Sequence, residues 1–194
     1  MPRPFPLLVA LALLASNQAQ AAPAQYVVDG AHTSVVFSVG HLGYSFTYGM
    51  FKEASGRVTL DPANPEGSRF ELAVKVASIS TGNEARDKHL MNADFFDAAK
   101  FPEITFAGQT QGVTRDDKGR DVYQVKGKLT MHGVSKEVTL PVRLLHAGED
   151  QQGKARVGFH CDLPIKRSDY GMNNSIPAIS DSVGVTFSFE AASP

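Results

Sequence analysis

This 194-residue chain holds one cysteine, Cys161, and no tryptophan. A single thiol cannot close an internal disulfide, so the fold must rest on its own core, which a chain of this size can bury. No apolar run, Leu7 to Ala15 included, reaches the ~20 residues that a membrane helix needs, so stable membrane insertion is not expected. Neither sign of charge dominates: 19 Lys and Arg stand against 20 Asp and Glu. That balance argues against nucleic acid or an acidic membrane surface as the main partner.

Catalytic signatures are missing as well. The chain has no G-x-S-x-G, H-E-x-x-H or C-x-x-C, and no glycine-rich phosphate loop after a strand. None of the six histidines lies two residues from another, as two ligands on one strand face would require, so neither a metal nor a cofactor is expected. His160 and Cys161 are adjacent on a strand-like run and point to opposite faces, so they do not form a base–nucleophile pair. Glu84, Asp87 and Asp94 are interleaved with Arg86, Lys88 and Lys100, which suits a solvated helix face better than an acid–base pair. No residue is assigned a catalytic role, and a non-enzymatic protein is expected.

Residues 1–21 have the pattern of a secretory signal. Arg3 supplies the positive end, Leu7 to Ala15 the apolar stretch, and Ala19-Gln20-Ala21 a cleavage site. Cleavage would leave residues 22–194 as a single exported domain, with periplasmic location as the bacterial form of that expectation.

The dominant pattern in that domain is period-two alternation. Phe70, Leu72, Val74 and Val76 alternate with Glu71, Ala73 and Lys75. The same pattern places Val125, Leu129 and Met131 on one face, then Val138, Leu140, Val142 and Leu144, then Val157, Phe159, Cys161 and Leu163, then Val185, Phe187 and Phe189. Val35, Phe37 and Val39 repeat it near the start. Strands wet on one face and buried on the other belong to antiparallel sheets, and about eight or nine of them joined by short turns make a barrel or a sandwich. Pro141, in mid-strand, marks an edge, a bulge or imperfect barrel closure. Thr81 to Lys100 breaks the alternation. Asn83 can cap a helix running to about Met91, and Phe101-Pro102 ends the insert.

Periodicity alone leaves the interior open between a close-packed core and a cavity. A barrel of about eight strands can leave room for a ligand, strands of ~10 residues span about 33 Å, and inward glycines such as Gly49 and Gly127 would leave volume open.

Several ordered motifs bear on that choice. Asp29-Gly-Ala-His32-Thr-Ser-Val-Val-Phe37-Ser-Val-Gly-His41 resembles the opening of the YceI-like family of lipid- and polyisoprenoid-binding proteins. Gly49-Met-Phe51, Ser55 to Asp61, Ser78 to Asn83, Arg86 to Leu90, Asp94 to Asp97, Phe101 to Phe106, Gly127 to Val134 and Arg167-Ser-Asp169-Tyr170-Gly171 resemble the later family blocks in order, so the resemblance covers residues 25–191. It implies a lipocalin-like antiparallel β-barrel with a short helical insert and a long apolar channel. It also implies a periplasmic location, a homodimer, and a polyisoprenoid or similar long-chain amphiphile as ligand. No catalytic residues come with it.

The expected cavity wall is Val35, Phe37, Val39, Phe51, Leu72, Val74, Val76, Phe106, Leu129, Val157, Phe159, Val185 and Phe187, with Phe95 and Phe96 beneath the insert. Arg86, Arg167, Asn173 and Asn174, in non-strand segments, are the head-group candidates, because arginine suits a pyrophosphate by bidentate geometry. A structural ion pair with a carboxylate such as Asp169 is the competing role for Arg167. The rival functions are a carrier of fatty acids, fatty amides or quinone tails, an enzyme acting on such lipids, and a stress-related interaction protein with a packed core.

Overall fold

The computed structural model describes residues 22–194, so the expected leader, residues 1–21, lies outside the described residues. The strands are β1 (Ala24–His41), β2 (Ser45–Phe51), β3 (Ala54–Leu60), β4 (Arg69–Lys75), β5 (Ile79–Ser80), β6 (Glu103–Arg115), β7 (Asp121–Met131), β8 (Val134–Glu149), β9 (Ala155–Lys166) and β10 (Ile179–Ala192). Among the described residues one α-helix, α1 (Glu84–Leu90), interrupts them. All pairings are antiparallel. The sheet runs β10-β9-β8-β7-β6-β4-β3-β1-β2-β5 and closes through β10 onto β1. β2 and β3 lie one after the other along β1, with Gly49 opposite Phe37 and Arg57 opposite Val27. The ten segments therefore build an eight-walled antiparallel barrel.

Alternation decides the inside of each wall. In β4, Phe70, Leu72 and Val74 are buried while Arg69, Glu71 and Lys75 are exposed. Each such apolar side chain taken from water contributes about 1.5–3 kcal/mol. Turn chemistry sets the registers. The β7–β8 hairpin turns on His132 and Gly133, both at positive φ, which matches the twist of the flanking strands.

The insert folds as its cap residue indicates. The side-chain oxygen of Asn83 accepts the Arg86 backbone N–H at 3.0 Å, and α1 ends at Leu90 with Met91 as its C-cap.

Pro141 lies beside a seam. β8 pairs with β7 from Val134 to Arg143, but with β9 only from Arg143 to Glu149. The half of β8 that contains Pro141 needs no ladder bond to β9, so proline is tolerated there. The β9 residues Cys161 to Lys166 pair with β10 alone. The segment 167–178 lies near this seam, with Tyr170 and Met172 buried and the Tyr170 carbonyl 2.9 Å from His132 Nδ1.

Two expectations about small residues are corrected. A Cβ on Gly49 would collide with the Phe37 ring, and one on Gly127 would collide with the Ala107 carbonyl and the Gly108 backbone. These glycines permit close approach of neighbouring groups; they do not hold volume open.

Candidate functional site

The barrel interior divides into two halves. Toward the β8–β9 hairpin it is filled. Phe159 is fully buried and its ring packs against Phe70 at 5.4 Å, Phe189 at 5.2 Å and Tyr123 at 6.3 Å. Val58, Val125 and Val157 complete this floor. Toward the insert, the walls stand apart around a cavity of about 190 Å³. Its lining is apolar except for Thr105 and Arg167.

Twelve of the fifteen expected wall residues surround this cavity. They are Val35, Phe37 and Val39 on β1, Phe51 on β2, Leu72 and Val74 on β4, and Phe106 on β6. The others are Leu129 on β7, Val185 and Phe187 on β10, and Phe95 and Phe96 after α1. Three expected residues are placed elsewhere. Val157 and Phe159 belong to the packed floor, because inward alternation gives the face of a strand residue but not its depth along the barrel axis. Val76 is buried in a 3-10 turn just past the end of β4, where period two no longer holds, and it does not line the cavity. The long apolar channel that the resemblance implies is here a cavity in one half of the barrel, bounded by the aromatic floor.

Sequence reasoning had put Met131, Leu140, Val142, Cys161, Leu163 and Phe189 on inward faces, and all of them line the cavity. It missed Leu90, Met172 and Ile179, which reach the cavity from the helix and from the 171–179 region. Leu90 and Met172 lie outside the strands, where no period-two pattern marks them; Ile179 opens β10 in phase with Val185, Phe187 and Phe189.

The four head-group candidates separate. Arg86 is exposed and tied to its own turn, its Nε donating to Thr81 Oγ1 and its Nη2 to the Thr81 carbonyl, both at 2.8 Å. Asn173 and Asn174 are exposed and do not line the cavity. Arg167 does, and it is 5 % exposed. Its Nε, Nη1 and Nη2 donate to the carbonyls of Ser180, Met172 and Ile179 at 3.0, 2.8 and 2.9 Å. The Phe95 ring lies 6.0 Å from its Cζ.

Arg167 thus pins the 172–180 segment, and the structural partner weighed for it, a carboxylate, is replaced by backbone carbonyls. Asp181 is turned toward Ser168, whose backbone N–H and hydroxyl hold its carboxyl below the usual range. Burial lowers the Arg167 pKa and the nearby Asp181 charge opposes that shift. The result is a buried cation at the cavity wall with three of its five N–H groups used on carbonyls.

Cys161 also faces the cavity. Burial pushes its thiol pKa up to about 12, so it is neutral at physiological pH and a poor nucleophile. Among the described residues, no three His, Cys, Asp or Glu side chains come together as a metal site would need.

The Asp29 to His32 motif has a structural role. Residues 30–32 bulge out of the β1–β10 ladder. Asp29 holds the bulge by accepting the Ala31 N–H and pairing with His32 Nδ1 at 2.8 Å. Arg156 on β9 then bridges Asp29 and Glu190 at 3.0 and 2.7 Å. His32 and Arg156 hold the Asp29 carboxyl at about 2. This clamp ties β1, β9 and β10 together at the filled end of the barrel.

The profile of the YceI-like domain matches residues 26–191. The chain belongs to the YceI-like family. A UPF0312 protein of Pseudomonas fluorescens is 38% identical over 187 residues, covering 95% of this chain and 93% of that one. Among solved structures, BcnA of Burkholderia cenocepacia superposes with a TM-score of 0.71 at 27% identity, covering 84% of this chain and 98% of that one. A polyisoprenoid binding domain from Saccharophagus degradans superposes with a TM-score of 0.69 over 89% of this chain and 99% of its own. At 18% identity that likeness is one of fold. The YceI-like fold accounts for the eight walls, the helical insert and the order of the motifs.

Proposed function

We propose that this YceI-like protein is a periplasmic carrier that encloses the hydrocarbon of a long-chain amphiphile, with a polyisoprenoid as the preferred chain. The observation that carries the reading is the cavity: about 190 Å³ of space with an apolar wall broken only by Thr105 and the buried cation Arg167. A dry cavity of about 150 Å³ lined by Leu, Ile and Phe accepts benzene. This one therefore takes the terminal segment of a chain as it stands. A longer chain requires rearrangement of the rings that crowd the space, where Phe37 packs on Phe51 at 5.7 Å and Phe51 on Phe96 at 5.7 Å.

Arg167 supplies the head-group contact in this reading. Its two unused N–H groups favour an anionic or strongly accepting head. Val76, Val157, Phe159, Arg86, Asn173 and Asn174 have no part in it.

The test is direct titration of the mature protein with farnesol and with farnesyl phosphate. Both should bind, and the phosphate should bind at least several-fold tighter. Equal affinities would remove Arg167 from the head-group role, and failure of both to bind would remove the enclosed-chain reading. Sedimentation of the same sample tests the homodimer that the family resemblance implies.

A further inference from the structure

We propose that the end of the barrel beside the cavity is a docking surface for a neutral lipid surface, set in place by the β1–β2 hairpin and the 170–180 segment. The proposal rests on the carrier reading and adds the place where a chain would be exchanged. The hairpin exposes a run of large apolar side chains: Leu42 at 55 %, Tyr44 at 91 %, Phe46 at 66 % and Tyr48 at 65 %. Leu42 occupies a turn position at positive φ, a conformation that favours glycine or asparagine, and it is not buried there. Neither backbone preference nor packing accounts for a leucine at that tip.

Two chain segments meet at this end. The Leu42 N–H donates to the Ala178 carbonyl at 2.7 Å, which brings half-exposed Ile176 beside the hairpin. Residues 40–51 and 170–180 contain no Asp, Glu, Lys or Arg. The cavity-lining residues Val39 and Ile179 lie within three positions of Leu42 and Ile176. The hairpin turn therefore lies at the cavity end of the barrel and not at the aromatic floor, with Phe46 and Tyr48 on the outward positions of β2.

Charge and area select the occupant. The hairpin and the 170–180 segment carry no formal charge, and the charges that flank them are of mixed sign, Asp162 beside Tyr48 and Glu84, Arg86, Asp87 and Lys88 on α1. Neither an anionic lipid nor an acidic or basic partner therefore meets a field of one sign; tyrosine and phenylalanine settle at the boundary between head groups and acyl chains. The three exposed rings present roughly 450 Å² at ~200 Å² for a whole aromatic side chain. Each partner in a stable dimer buries about 800 Å². The patch alone is small for a second copy of this chain, and a reversible lipid contact needs no such area.

The absence of tryptophan provides the test, because Tyr44→Trp makes a single-reporter protein. The mature Tyr44→Trp chain is mixed with vesicles of pure dioleoylphosphatidylcholine. Its emission should shift to the blue, be quenched by brominated acyl chains and change little with added salt. The triple variant Leu42→Ser, Phe46→Ser, Tyr48→Ser should lose at least tenfold in co-sedimentation with the same vesicles.

A bulk-water spectrum with vesicles present would overturn the proposal. So would an unquenched shift that grows with protein concentration alone and accompanies a doubled mass, which would assign the rim to a second copy. Farnesol titration of the triple variant keeps the two readings apart: retained binding with lost docking confirms the rim and leaves the cavity intact, whereas docking that survives with farnesol binding lost refutes the rim.

Discussion

Replacing Val74 and Val157 separately by tryptophan distinguishes the open half of the barrel from the filled half. Both valines are buried, at 9 % and 2 % exposed, and both point inward from strands of clear alternation. Val74 borders the 190 Å³ cavity. Val157 sits in the floor with fully buried Phe159 and Phe70. An indole at position 157 has no space to enter and forces neighbouring rings off their rotamers, which costs about 1–3 kcal/mol or more. An indole at position 74 can turn into a void larger than the ~150 Å³ that accepts a benzene ring, so its cost should stay below about 1 kcal/mol. In urea, a 2 kcal/mol loss with an m-value near 2 kcal/mol/M moves the midpoint by about 1 M. The assay is the urea midpoint of delipidated protein, followed by farnesol titration. Val157→Trp should lower the midpoint by about 1 M and, once folded, keep farnesol affinity. Val74→Trp should keep the midpoint and lose affinity. Equal destabilisation by both variants would refute the division of the interior.

Other expectations follow from the polar groups. Phe159→Ala removes the ring at the centre of the floor and should cost about 3–5 kcal/mol, read as a urea midpoint shift. Cys161, neutral and facing the cavity, should react slowly with iodoacetamide at pH 7.5 in the folded protein and more slowly still when farnesol is bound; rapid labelling of the liganded protein would contradict its placement. The Asp29 carboxyl titrates at about 2 when folded and near 3.9 when unfolded, so its contribution is complete above about pH 4–5 and disappears as the pH falls through 2. The stability gap between wild type and Asp29→Asn should therefore close over that window.

The fold was largely legible because period-two alternation is a local property. Phe70, Leu72 and Val74 announced one wall of the barrel, and Asn83 announced the start of α1. Depth was not legible. Nothing in the alternation distinguishes Val157, in the floor, from Leu163, in the cavity wall six residues further along the same strand. The contribution of Met172 was hidden because it depends on the carbonyls of Ser180, Met172 and Ile179 converging on Arg167, a non-local arrangement that leaves no periodic trace. Likewise Asp29, His32 and Arg156 are 127 positions apart at their extremes, and only closure of β10 onto β1 brings them together. Gly49 and Gly127 were misjudged because a missing side chain signals close approach as readily as open space.

The central claim, that the barrel encloses a lipid chain, is tested most directly by mass spectrometry of lipid extracted from the natively purified protein. A separate mass measurement of the intact protein reports whether the chain begins at Ala22. The account predicts one bound amphiphile per barrel with a long isoprenoid chain. A protein that carries no lipid as isolated and takes up neither farnesol nor a fatty acid would contradict it.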